Sequence, residues 1–266
     1  MKLLLSTGSL YTLPMSQACE IARDTGFDGV EVIVGTEFQH GNPVTKIREL
    51  QKIIPIYSLH APFFDLDGWG DKPEQLRLTV RLALETGVPL INFHPPSWMA
   101  MEFGFWRWFD SIKDYQQEIG QGQVVMTVEN MPCTGAFKIN PYLLARTERL
   151  IDFMRRHNLY LTFDTTHMGS GKTNFLSDFH RCYDSGRMRN IHFSDYGNDR
   201  EHLLPGRGVL PLTRFLNHLR ETDYNETVTL ELSPYEFPKD EEGIRRGMAE
   251  VFAYLQKETG RKSTSS

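Results

Sequence analysis

Six residues able to hold a metal or carry a proton each close a short apolar run: His60 in IYSLHAP, His94 in LINFHPP, Glu129 in VVMTVENM, Asp164 in LYLTFDTTH, His192 in NIHFSD and Glu231 in VTLELSP. Three carboxylates brought to one place repel unless they are protonated or share a cation. Glu129, Asp164 and Glu231 with the imidazole of His192 make an oxygen-rich set with one nitrogen, suited to Mn²⁺, Mg²⁺, Co²⁺ or Zn²⁺ with coordination positions left open. His60, His94, His167 and His202 are further candidate ligands for metal or substrate. Taken singly, such a histidine reads equally as a hydrogen-bonded structural residue, and such a carboxylate as an ion-pair member or helix cap. The recurrence at successive run ends favours a common centre.

The elements that must position these residues follow from periodicity. Strand-like runs lie near 2–7, 28–34, 54–60, 89–94, 123–130, 159–164, 188–194 and 226–232, with helical patterns between them. The spacing predicts helices over 141–156, with Asn140 as cap and Pro141 in the first turn, and over 240–257, with Ile244, Met248, Val251, Phe252 and Leu255 on one face. No GxGxxG follows the first run, which disfavours a doubly wound sheet and leaves a single (β/α)₈ barrel of residues 1–258. Residues 259–266 have no apolar face and read as a disordered tail. Because side chains alternate along a strand, each run-ending residue shares its face with the one two before it: Ser58, Asn92, Thr127, Thr162, Asn190 and Thr229. All are polar and of modest size, suited to orienting ligands from below.

A formal net charge of −5 supplies no general attraction to nucleic acid and fits a small-molecule enzyme. Cys19, Cys133 and Cys182 form no CxxC pair, so neither a disulfide framework nor a thiolate zinc site is indicated and a cytoplasmic setting is expected. No stretch approaches the ~18 apolar residues of a membrane span.

The segments GFDGVEV, LHAPF, FHPP, VENM, DTTHMG, HFSDYG, HLLPGRG and LELSP resemble the xylose-isomerase-like TIM barrel superfamily over nearly the whole chain. That superfamily contains sugar and sugar-phosphate isomerases and epimerases, dehydratases, and abasic-site endonucleases of the endonuclease IV type. The isomerase and epimerase members imply that Glu129, Asp164, His192 and Glu231 hold one divalent metal, and that Glu129 and Glu231 shuttle protons. The endonuclease members imply a zinc cluster, with His60, His94 and Glu129 around one ion and His167 and His202 around another. In those members an aspartate stands two residues before the last histidine. Arg200 occupies that position here and Asp199 is one residue off, which argues against phosphodiester cleavage.

Around this core, Glu31 in GVEV reads either as a substrate contact or as a hydrogen-bond partner of a ligand. Trp98 heads an aromatic stretch, PSWMAMEFGFWRWF, that could stack on a sugar ring; loop packing or a contact with a second copy accounts for it equally well. GSGKT at 169–173 fails the P-loop pattern, although Lys172 could meet an anionic substrate, as could Arg207 in PGRG unless it pairs with a loop acid. Asp65, Asp67 and Asp71 are poorly placed to face a phosphate backbone. The reading is therefore a metal-dependent isomerase or epimerase acting on a sugar, sugar phosphate or related hydroxy ketone. A zinc phosphodiesterase, or a dehydratase or lyase using the same site, is the alternative.

Overall fold

The computed structural model describes residues 1–171 and 174–261. Eight parallel strands close into a barrel: β1 (Lys2–Ser6), β2 (Gly29–Ile33), β3 (Ile56–His60), β4 (Leu90–Phe93), β5 (Val125–Glu129), β6 (Tyr160–Asp164), β7 (Met188–Phe193) and, after a hairpin of β8 (Asp195–Gly197) and β9 (Arg200–Leu203), β10 (Thr227–Leu230). Each barrel strand falls inside the run predicted for it. β10 pairs with both β1 and β7, which closes the ring.

The helices α1 (Met15–Thr25), α2 (Pro43–Gln51), α3 (Lys72–Thr86), α4 (Phe103–Ser111), α5 (Thr147–Arg156), α7 (Phe175–Asp184), α8 (Leu212–Glu221) and α9 (Glu241–Thr259) wrap the outside, while the short α6 (Thr165–Gly169) sits at the end of β6 on the barrel mouth. Asn42, Asp71, Asn174 and Asp240 cap α2, α3, α7 and α9 through side-chain oxygens. The outward residues of the strands, among them Leu59, Phe93, Val128, Phe163, Ile191 and Leu230, are buried against these helices and form the main apolar core. Ile244, Met248, Val251, Phe252 and Leu255 of α9 join it, with the Phe252 ring 4.7 Å from that of Phe27.

Two expectations need correction. Residues 141–146 are not helical, and α5 begins at Thr147. Asn140 instead accepts from the Tyr142 amide and donates to the Met131 carbonyl, so the segment is held as a loop over the barrel mouth. At the other end, α9 continues to Thr259, Gly260 closes it in the left-handed conformation (φ 69°), and Arg261 makes a two-pronged ion pair with Asp28. The barrel thus extends past 258; residues 262–266 lie outside the described residues. No described helix is long and apolar enough to cross a membrane.

Candidate metal centre

Four consecutive staves of the barrel, β5, β6, β7 and β10, deliver Glu129, Asp164, His192 and Glu231 to the mouth. One ligand atom from each lies within 4.8 Å of the others. His192 Nδ1 is 2.7 Å from Glu231 Oε2, 3.5 Å from Glu129 Oε2 and 3.7 Å from Asp164 Oδ2. The two oxygens of Asp164 divide their work: Oδ1 caps α6 by accepting from the His167 amide at 2.7 Å, which fixes the carboxylate and aims Oδ2 at the ring.

The donor set fits a divalent cation. Asp164 Oδ2 and His192 Nδ1 are buried, and neither has an aligned hydrogen-bond partner, although both point to the same place. Leaving such groups unmet costs ~1–3 kcal/mol each, more if charged. A cation at their convergence would satisfy both and relieve the repulsion among the three carboxylates.

Beneath the ligands the barrel interior is polar, as strand alternation requires. Ser58, Asn92, Thr127, Thr162, Asn190 and Thr229 are all buried. Asn92 donates to Glu129 Oε2, and the hydroxyls of Thr127 and Thr162 pair at 2.7 Å. Glu31 sits at the centre of this layer with no exposed surface, accepting from Ser58 at 2.6 Å and from Asn190 at 3.3 Å. Its Oε1 is 2.8 Å from His192 Nε2. Glu31 is thus buried beneath His192, away from the open mouth.

The outer imidazoles gather around Glu129. His60 Nε2 and His94 Nε2 lie 3.4 and 3.6 Å from its Oε2, and His167 Nδ1 lies 2.9 Å from its Oε1. Burial alone would raise the Glu129 carboxyl, but the charge of His192 and the imidazoles of His167 and His60 hold it well below the ordinary range. For Glu231, burial is likewise outweighed by His192 and His202, and the carboxyl is lowered. Asp164 differs: burial dominates over His167 and His202, and its carboxyl is pushed up to about 6. His60, His94 and Glu129 form a second group of convergent donors, and Asp164, His167 and His202 a third.

Arg200 and Asp199 do not join the third group. Arg200 pairs with Glu236, while Asp199 pairs with Lys138 and accepts from Tyr196. The cause is the hairpin turn, where Asn198 and Asp199 both take positive φ (52° and 56°) and carry their side chains away from the mouth. The hairpin was not anticipated; Gly197-Asn198-Asp199 was its signal.

Arg207 stands 3.2 Å from Glu236 Oε2, paired with a loop acid. Buried Asp195 organises that loop by accepting from the amides of Gly206, Gly208 and Leu210. Gly208 is required there because a Cβ would stand 2.3 Å from Asp195 Oδ1.

Trp98 is 42% exposed, ties its indole N–H to the Asn140 carbonyl, and lines neither cavity beside the ring on the β1–β4 side. Trp69 is buried in the core, and Trp106 and Trp108, both on α4, pack against it. Phe63 does reach the ring: it stacks on His94 with centroids 5.5 Å apart. Lys172 lies outside the described residues.

Asn130 was missed. Its side chain donates to the Asp164 carbonyl and accepts from the Asp164 amide, both at 2.9 Å, and its own carbonyl lies 3.0 Å from His167 Nδ1. Its position directly after Glu129 was the available signal. A cavity of about 540 Å³ opens beside the ring, with Glu231, His202 and Phe63 in its wall.

A family model described as xylose isomerase-like TIM barrel matches residues 19–255. An uncharacterized protein of Mycobacterium leprae is 27% identical over 256 residues, covering 86% of this chain and 88% of its own. Among solved structures, D-psicose 3-epimerase from Clostridium cellulolyticum H10, crystallised with D-tagatose, superposes with a TM-score of 0.73 at 16% identity, covering 97% of this chain and 99% of that one. Endonuclease IV from Thermus thermophilus superposes with a TM-score of 0.64 at 18% identity, covering 97% and 100%. At these identities the structures establish the shared fold.

Proposed function

We propose, for a chain that belongs to the xylose isomerase-like TIM barrel family, that it is a divalent-metal-dependent isomerase or epimerase moving a proton on a sugar or related hydroxy ketone. The observation carrying this reading is the four-residue nest with its unmatched Asp164 Oδ2 and His192 Nδ1. A bound divalent cation would polarise a carbonyl and its neighbouring hydroxyl and so acidify the adjacent C–H.

Glu129, Asp164, His192 and Glu231 would hold that cation. Glu231 and Glu129 stand at the two ends of the arc of four strands. Glu231 is 18% exposed and faces the 540 Å³ cavity, so its carboxylate is placed to take a proton from a substrate seated there. Such a base contributes about 10²–10⁴ in rate. Glu129, enclosed by imidazoles, is the second carboxylate through which the proton can return. His167 and His202 border the site and can orient substrate hydroxyls. A dehydratase or lyase would draw on the same base.

A multi-metal phosphodiesterase is the second reading, favoured by the further donor groups at His60–His94–Glu129 and Asp164–His167–His202. Against it, Arg200 and Asp199 add nothing to the third group. The test is exchange of a substrate C–H with deuterated solvent by the manganese-loaded protein. Exchange supports proton transfer; nicking of an abasic-site duplex without exchange overturns it.

A further inference from the structure

We propose that the substrate is an uncharged sugar or hydroxy ketone bearing an apolar substituent, which lies in the cavity beside Glu231. This rests on the proton-transfer reading and narrows its substrate. Among the described residues, no lysine or arginine lines that cavity; its charged groups are Glu37, Glu201 and Glu231, with His202. Among the described residues, Arg200 and Arg207 pair with Glu236 and Lys138 with Asp199, while Lys46 donates to the Glu37 carbonyl. The acidic groups of the lining, Glu37, Glu201 and Glu231, stand beside the three ligand carboxylates. A phosphate or carboxylate on the substrate would enter this field without a counter-charge.

The opposite wall is apolar, formed by Tyr11, Leu13, Met15, Ile33, Phe63 and Phe64. Tyr11, Phe63 and Phe64 are 61%, 49% and 37% exposed, an aromatic surface left uncovered directly beside the reacting carboxylate. At about 540 Å³ the cavity falls within the ~300–1,000 Å³ of sites that enclose drug-sized ligands, more room than one sugar ring takes. The hydroxyls of Thr7, Thr36 and Ser233 supply neutral polar contacts. Charge therefore selects against a phosphorylated substrate, and the surplus apolar wall selects for a substituent.

The experiment compares dissociation constants of the manganese-loaded full chain for matched sets, each a free ketohexose, its 6-O-benzyl ether and its 6-phosphate, all of which keep the anomeric centre free to open to the ketone, read by tryptophan fluorescence and calorimetry. The benzyl ether should bind at least about tenfold more tightly than the free sugar, as burial of a phenyl ring predicts, and the phosphate most weakly. Phe64→Ala and Tyr11→Ala, both at exposed positions, should each shrink the gap between benzyl ether and free sugar, with metal content and thermal midpoint checking that the barrel is intact. The proposal is overturned if a phosphate binds as tightly as its free sugar, if the benzyl ethers hold no advantage, or if no benzyl ether binds. Absence of solvent exchange with the binding order intact would instead sink the proton-transfer reading alone.

Discussion

Glu31 Oε1 lies 2.8 Å from His192 Nε2, with both side chains fully buried. Glu31 is itself held by Ser58 and Asn190, so its carboxylate stands directly beneath the imidazole, close to Nε2 though not aligned as a hydrogen bond. Carboxylate partners of metal-bound histidines orient the ring and raise its basicity.

Replacing Glu31 with Gln keeps the shape and removes the charge. Metal affinity should fall about 10–100-fold while the fold is retained. Calorimetric titration of the metal-free protein checks this, and an unchanged affinity would show that Glu31 does not act through His192.

Glu231→Gln should lower solvent exchange into substrate by roughly 10²–10⁴. Because Glu231 also lies 2.7 Å from buried His192, the melting temperature of the metal-free variant should fall, and circular dichroism checks that the fold is retained. Exchange at the parental rate would assign the base elsewhere.

Elemental analysis after dialysis should return about one divalent metal per chain. Chelation should lower the melting temperature, and metal at about 100-fold its dissociation constant should restore ~2.7 kcal/mol of stability. Three retained zincs per chain would move the assignment to the phosphodiesterase reading.

A proton on His192 blocks its metal-binding nitrogen, and one on neighbouring His167 repels the cation. Burial would lower His167, but Asp164 and Glu129 outweigh it and raise it from 6.5 to about 10; Glu31, Glu231 and Glu129 likewise raise His192 well above 6.5. In the metal-free protein both carry protons at neutral pH, so metal affinity should rise as pH climbs through that interval. The sign for stability is opposite. A raised histidine stabilises the metal-free fold fully below its unfolded value of 6.5, and that stabilisation is lost as pH rises through about 10. Melting temperatures and metal titrations across this range check both; an affinity that falls with pH contradicts the assignment.

Gly208→Ala should destabilise the protein by about 1–3 kcal/mol, an overpacking cost, because the added Cβ meets Asp195 Oδ1 and the Tyr196 carbonyl at 2.3 Å. Urea unfolding of the metal-free protein measures it. A loss below that range would mean that the loop yields freely.

Much of the site was legible because strand alternation is a local rule. Once eight apolar runs are recognised, the residue that closes each and the one two before it must share the barrel interior, and closure of the parallel ring brings those ends together. Glu129, Asp164, His192 and Glu231 followed from that, as did the polar layer of Ser58, Asn92, Thr127, Thr162, Asn190 and Thr229. The helix over 240–257 was legible for the same reason, since its apolar stripe repeats within a few residues.

Other features depended on partners far along the chain. Residues 141–146 carry a helical pattern, yet Asn140 bonds to Met131 and Pro141 accepts from Ser97 and Trp98, contacts that no local period encodes. Arg207 could meet a substrate or an acid, and only the folded chain brings Glu236, from the loop after β10, within 3.2 Å of it. Glu31 could have been substrate contact or buried support, and its depth in the closed ring is set by partners on other strands. The sequence by itself determined the barrel and the inventory of donors, because these rest on periodicity. The tertiary structure decided which charges pair and which stay free to act, because pairing depends on distances set after the chain has closed.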